Sequence, residues 1–231
     1  MLGYYHYGVI LTYLSLVSSV IGISMTLNGR HITLAIVCLM VSGCLDAFDG
    51  RVARTRKNAT DEEKSFGIQI DSLCDMVCFG VLPACIGFAC GLNKWYHIAI
   101  LALFVLAALI RLGYYNVMEM AQKNVDESGQ RFFRGLPVTS IAIILPIVYG
   151  LMLYGKLLPW AGIILSVMFL AVGFGYVSQL RIKKPTLAGN ILMIVFGACI
   201  MAAILVFRYV ILKRELPWKK SRASYYHFYM K

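Results

Sequence analysis

Four aspartates in this 231-residue chain have a spacing from which chemistry can be read: Asp46, Asp49, Asp71 and Asp75. Asp46 and Asp49 are three residues apart, and Asp71 and Asp75 are four apart. On a helix each pair therefore shares one face. All four fall in apolar stretches. An ionisable group inside a membrane helix costs ~2.5–3.5 kcal/mol on insertion scales, so it normally marks a function. Four carboxylates at one depth repel each other unless cations intervene. No histidine or cysteine joins them as a ligand, and an all-carboxylate set suits hard cations such as Mg²⁺, Mn²⁺ or Ca²⁺. Two such ions held close together make a clamp for a diphosphate. A plainer reading pairs the acids with Arg51, Arg54 and Arg56 at a membrane surface. That reading serves Asp46 and Asp49 alone, but it does not explain two pairs at two helical spacings.

The elements that must position these residues are apolar helices. The chain is 60% hydrophobic and only 14% charged, against ~45–50% and ~25% in soluble domains. That excess points to one membrane domain spanning residues 1–231. Seven apolar segments are near the ~20 residues that a spanning helix needs: 9–27, 32–50, 66–92, 95–120, 137–155, 158–179 and 187–212. Their apolar runs are continuous and lack the alternation of barrel strands. The expected fold is therefore all-α, a polytopic membrane helix bundle. Aromatic residues sit at the proposed ends (Tyr4, Tyr5, Tyr7, Trp95, Tyr96, Trp160, Trp218), as interfacial belts do. Met1 to Gly8 contains no Lys or Arg. The first segment is thus expected to stay as a helix rather than leave as a signal peptide.

Charge gives the orientation. The net charge of +11 would suggest nucleic acid in a soluble protein, but no basic soluble domain is present to carry such binding. The basic residues instead suit anionic lipid headgroups. The loops 51–66, 121–136 and 180–186 are rich in Lys and Arg, and they alternate with loops holding one basic residue each, Arg30, Lys94 and Lys156. The positive-inside rule puts the rich loops, and with them the aspartates, on the cytoplasmic side of the cell membrane. Seven spans would then leave the basic tail, 213–231, on the other side. That conflict asks for a last segment that does not cross fully, or for a different count. The seven cysteines all lie in apolar stretches and read as reduced packing residues. Cys74 and Cys78 share a helix face, but no nearby histidine completes a zinc site.

The motif reads Asp46-x2-Asp49-Gly50-x2-Ala53-Arg54, then twelve residues, then Gly67-x3-Asp71-x3-Asp75. It resembles the signature of the CDP-alcohol phosphatidyltransferase family, with every fixed position filled and a longer spacer before Gly67. The stretch Gln69 to Ala84, with Arg111-Leu-Gly-Tyr-Tyr-Asn116 and Gly135-Leu-Pro137-Val, is similar to the branch of that family whose acceptor is L-serine. In the first segment, where that branch often has an asparagine, this chain offers Ser15.

The resemblance implies a six-helix core, to which 187–212 adds a C-terminal helix. It implies transfer of a phosphatidyl group from CDP-diacylglycerol to the hydroxyl of L-serine, giving phosphatidylserine and CMP. It also implies a homodimer. Asp46, Asp49 and Asp71 would hold two divalent ions, Mg²⁺ or Mn²⁺. Asp75 would complete the second site and act as general base. Gly50, Ala53 and Gly67 would let the CDP-lipid approach the backbone, Arg54 would contact a phosphate, and Ser15 would face the nucleotide. Arg111, the basic residue well inside an apolar segment, needs an anion: a lipid phosphate, the serine carboxylate or one of the aspartates. Asn116 and Arg134 are further candidates at the same mouth. Two alternatives stay open. One keeps the chemistry with another acceptor, such as glycerol phosphate, an inositol phosphate or another amino alcohol. The other is a divalent-cation transporter, although no internal repeat is visible and the acids lie near one membrane face.

Overall fold

Small polar residues and large apolar ones take opposite sides of the first helix, α1 (Ile10–Leu27). Thr12, Ser15, Ser19, Gly22 and Thr26, spaced three and four apart, are buried. Leu14, Val17, Val20 and Ile21 are exposed. That polarity is the reverse of a water-soluble helix. It fits a membrane, where close packing and interhelical hydrogen bonds replace the hydrophobic drive. The computed structural model describes residues 9–27, 31–54, 60–121, 132–155, 157–178 and 181–183, with backbone alone at 50–54, 132–134 and 181–183.

α1 packs lengthwise on α2 (Ile32–Arg54). Ser19 and Ser42 share a hydroxyl hydrogen bond at 2.8 Å, and the Ser18 hydroxyl donates to the Cys38 carbonyl at 3.1 Å. α3 (Asp61–Asp75) opens on a capping box. The Thr60 hydroxyl accepts from the Glu63 amide, and the Glu63 carboxylate accepts from the Thr60 amide. Acids at 61–63 complement the positive end of the helix. A π-helical turn, Met76–Val81, follows directly and leads into α4 (Leu82–Ala89). Its cause is local. Pro83 has no N–H for the carbonyl four residues back, and the preceding turn widens so that the Leu82 amide reaches the Val77 carbonyl.

The long helix α5 (Trp95–Met120) runs back antiparallel to this path. After it come strand β1 (Phe132–Arg134), a 3₁₀ turn, α6 (Ile141–Tyr154), a second 3₁₀ turn, α7 (Ala161–Val177) and strand β2 (Arg181–Lys183). α5 and α7 meet through Phe104, whose ring lies edge-on to Phe169 at 4.9 Å and beside Tyr176 at 5.6 Å. α2 and α6 approach at Gly43, where an added Cβ would lie 2.8 Å from the Ala142 Cβ.

The result is the expected helix bundle, with five helical paths long and apolar enough to cross a membrane. The apolar path Val138–Tyr154 is shorter and contains Pro146. Six of the seven expected segments are thus present. The seventh, 187–212, and the tail 213–231 lie outside the described residues. The structure corrects three details. The third segment starts at Asp61, five residues before the expected 66, because the capping box starts the helix there. α2 continues to Arg54, so Arg51 and Arg54 belong to a helix and not to a loop. The expected loops at 121–136 and 180–186 contribute a two-stranded antiparallel ribbon, with Phe132 opposite Lys183 and Arg134 opposite Arg181.

The root of that ribbon is a tight clasp. The Leu136 amide donates to the Gly175 carbonyl at 2.9 Å, and the Tyr176 hydroxyl donates to the Val138 carbonyl at 2.9 Å. Gly135 has φ +81°, and an added Cβ would lie 2.7 Å from the Tyr176 carbonyl oxygen. Both the backbone conformation and the space therefore require glycine. Gly135→Ala is expected to destabilise the protein by about 1–3 kcal/mol. Gly113→Ala, where an added Cβ meets nothing within 4 Å, should not. Thermal unfolding of both variants in detergent checks the contrast.

Candidate active site at the α2–α3 junction

α2 and α3 are consecutive helices whose acid-bearing faces converge. Asp46 and Asp49 lie near the end of α2, and Asp71 and Asp75 close α3. Asp46, Asp49 and Asp71 each offer one carboxylate oxygen, all within 4.8 Å of one another. Asp49 is the most enclosed, at 6% exposure. Asp75 stands outside this group of three, next to Asp46. The structure therefore brings together three of the four expected ligands and leaves the fourth carboxylate beside them.

Two unit charges 4.8 Å apart repel by about 3 kcal/mol at an effective dielectric of ~20. Three such pairs rival the whole net stability of a typical domain, about 5–15 kcal/mol. Protonation or a bound cation would relieve that repulsion. The donor set, oxygen only, fits a hard divalent cation. Asp71 Oδ1 fits it too, since it is buried with no hydrogen-bond partner, a state that native structures rarely leave unexplained. One turn before Asp71, an added Cβ on Gly67 would meet nothing within 4 Å. Gly67 is thus not a packing glycine of the Gly43 type. It leaves open space beside the acids.

α1 contributes a residue that sequence reasoning missed. The Thr12 hydroxyl, 4% exposed, donates to Asp49 Oδ2 at 3.0 Å. Ser15, expected to face the nucleotide, lies one turn further along and is 2% exposed. Its hydroxyl donates to the Ser42 carbonyl at 3.3 Å and contacts Cys78 Sγ at 3.4 Å. Thr12 thus brings an α1 hydroxyl to the acids themselves. The signal was the buried small-residue stripe of α1, legible as a spacing but silent about which member meets the carboxylates.

α5 closes the other side. The Ser72 hydroxyl, between Asp71 and Asp75, donates to Asn116 Oδ1 at 2.6 Å. Deeper, an added Cβ on Gly80 would lie 3.7 Å from the Ala108 Cβ. These two contacts set an antiparallel register that puts Arg111 at about the level of Val77, just past Asp75. Arg111 is 6% exposed. Its Nε donates to the Leu136 carbonyl at 3.4 Å, and its guanidinium carbon lies 5.5 Å from the Tyr115 ring centre. Among the described residues no aspartate pairs with it, so the salt-bridge expectation gives way to the clasp at Leu136. Gly50, Ala53 and Arg54 occupy the last turns of α2, and Arg134 lies in β1; their side chains fall outside the described residues. The six described cysteines are free thiols.

The chain belongs to the CDP-alcohol phosphatidyltransferase family, whose model matches residues 5–173. It is similar to the CDP-diacylglycerol–serine O-phosphatidyltransferase of Saccharomyces cerevisiae, 34% identical over 178 residues, covering 69% of this chain and 62% of that one. The enzyme of that name from Mycobacterium tuberculosis H37Rv is 29% identical over 184 residues, covering 74% and 61%. The archaetidylserine synthase of Methanothermobacter thermautotrophicus is 28% identical over 149 residues, covering 64% and 59%. The chain spans about three fifths of the length of these relatives.

A cation that joins the three carboxylates binds the folded state alone and stabilises it by mass action, about 2.7 kcal/mol at a hundredfold excess over Kd. Mn²⁺ is therefore expected to raise the Tm of the wild-type protein, and EDTA to reverse the rise. Asp71→Asn should abolish the Mn²⁺ response while itself raising the Tm of the metal-free protein, because one repelling charge is gone. Scanning calorimetry with and without Mn²⁺ reads both effects.

Proposed function

We propose that this protein transfers a phosphatidyl group from CDP-diacylglycerol to the hydroxyl of L-serine, giving phosphatidylserine and CMP. The observation that carries the reading is the convergence of Asp46, Asp49 and Asp71 within 4.8 Å, with Asp75 beside them, in a chain of this family. The names of the bacterial, yeast and archaeal relatives share serine as the transferred-to group while their lipid parts differ. That supports serine more strongly than it supports any particular lipid chain. Family membership also removes the ground for a transporter reading.

Asp46, Asp49 and Asp71 would hold the divalent ions, Mg²⁺ or Mn²⁺ and two in number. Held there, such ions would supply positive charge against the diphosphate and the departing CMP. Asp75, outside the group of three, takes the proton of the acceptor hydroxyl. The acceptor oxygen forms a bond to the phosphorus that carries the lipid. The bond from that phosphorus to the CMP oxygen breaks, and CMP leaves with the electron pair. Gly67 keeps the α3 surface open to the nucleotide, with Gly50 and Ala53 facing it from α2 and Arg54 on a phosphate. Arg111, Asn116 and Arg134 line the acceptor side. The distribution of basic loops supports a site at the cytoplasmic face of the cell membrane, in a proposed single domain over 1–231. The proposed assembly is a homodimer.

The deciding assay is CMP release by the purified protein with CDP-diacylglycerol, Mn²⁺ and a panel of alcohols. Serine-dependent CMP is expected, and release with glycerol phosphate but not serine would overturn the acceptor. Asp75→Asn should lower kcat about 10²–10⁴-fold while keeping the Mn²⁺-induced rise in Tm. Gly67→Leu should leave Tm unlowered, since nothing lies within 4 Å of its added Cβ. It should raise KM for the CDP-lipid at least tenfold, roughly the effect of 1.4 kcal/mol. A fall in Tm without a change in KM would return Gly67 to a packing role.

A further inference from the structure

The hydroxyls of α1 make several kinds of bond, and one of them differs in its partner. Ser15, Ser18 and Ser19 bond to α2 backbone carbonyls, to another serine or to the Cys78 thiol. Thr12 instead spans from α1 to a carboxylate, its Oγ1 donating to Asp49 Oδ2 at 3.0 Å across 37 residues of sequence. A helical threonine usually satisfies its hydroxyl on its own helix, at a carbonyl three or four residues back. Here Thr26 does so, at 2.6 Å to the Ile23 carbonyl, and Thr12 does not. Both ends of the Thr12 bond are enclosed, at 4% and 6% exposure, so water does not compete well for it.

From this contrast we infer that Thr12 is a positioning residue that aims the Asp49 carboxylate at the cation site. This rests on reading Asp49 as a cation ligand. A carboxylate rotates about its last bond, and a hydrogen bond that fixes one oxygen fixes the direction of the other. Asp49 comes from α2, whereas Asp71 comes from α3, so their mutual placement depends on helix packing. Thr12 adds a third helix to that placement. β-branching leaves its side chain few rotamers, which makes it a stiffer donor than serine. Groups that orient a metal ligand in this way typically change metal affinity 10- to 100-fold when removed.

The test measures Mn²⁺ binding directly, by electron paramagnetic resonance of free Mn²⁺ on the purified substrate-free protein, alongside Tm and kcat. Thr12→Val keeps the shape and removes the donor. It should weaken Mn²⁺ binding about 10- to 100-fold and raise the Mn²⁺ concentration needed for half-maximal turnover by a similar factor. Thr12→Ser restores the donor and should recover most of the affinity. Ser19→Ala breaks a neighbouring α1–α2 bond without touching the acids and should leave Mn²⁺ affinity within about twofold. Unchanged Mn²⁺ affinity in Thr12→Val overturns the inference, as does an equal loss in Ser19→Ala, which would make the effect one of packing. Failure of the wild-type protein to bind Mn²⁺ would instead overturn the reading of the acid cluster itself.

Discussion

Carboxylates gathered in an apolar bundle repel one another, and the architecture around them follows from containing that repulsion. Asp46, Asp49 and Asp71 converge within 4.8 Å, close enough for each pair to oppose folding by a few kcal/mol. No isolated helix would hold such a group. α1 supplies a hydroxyl to Asp49, and α5 supplies the Asn116 amide oxygen that accepts from the serine between Asp71 and Asp75. Assembling the acids leaves a concentration of oxygen donors of the kind that hard divalent cations take.

The helices meet this constraint by two different means. α1 and α2 approach closely because their facing residues are small, with serine hydroxyls bonded across the seam. α3 remains straight until Asp75 and then widens into a π turn ahead of Pro83. The regular part of the helix carries both acids, and the irregular part begins only after them. The clasp around Gly135, Leu136 and Tyr176 ties α7 and the β-ribbon to Arg111. Arg111 therefore links the far half of the bundle to the level of Asp75. A buried arginine of this kind acts in the structure even before any ligand is considered.

Much of this was legible in the sequence, and for a physical reason. Apolar runs of spanning length and helical spacings of three and four are local properties, so the spans and the two acid pairs could be read directly. The start of α3 was misjudged because the Thr60 cap lies in a polar stretch that hydropathy alone assigns to a loop. The short strands were missed because three-residue pairings between distant basic segments leave no local periodicity. Gly67 and Gly43 look alike as letters, and only the space around each shows that one packs and the other does not.

The sequence by itself therefore determined the class of the protein, the helices that build it and the identity of the acids, because composition and period are written along the chain. Tertiary structure decided which atoms meet. It grouped three aspartates with Asp75 beside them, brought the Thr12 hydroxyl to Asp49, and bonded Arg111 to a backbone carbonyl at Leu136 where an aspartate had been one expectation. These outcomes depend on the rotation and depth of one helix against another. Those are set by side-chain packing across tens of residues, which no local pattern records.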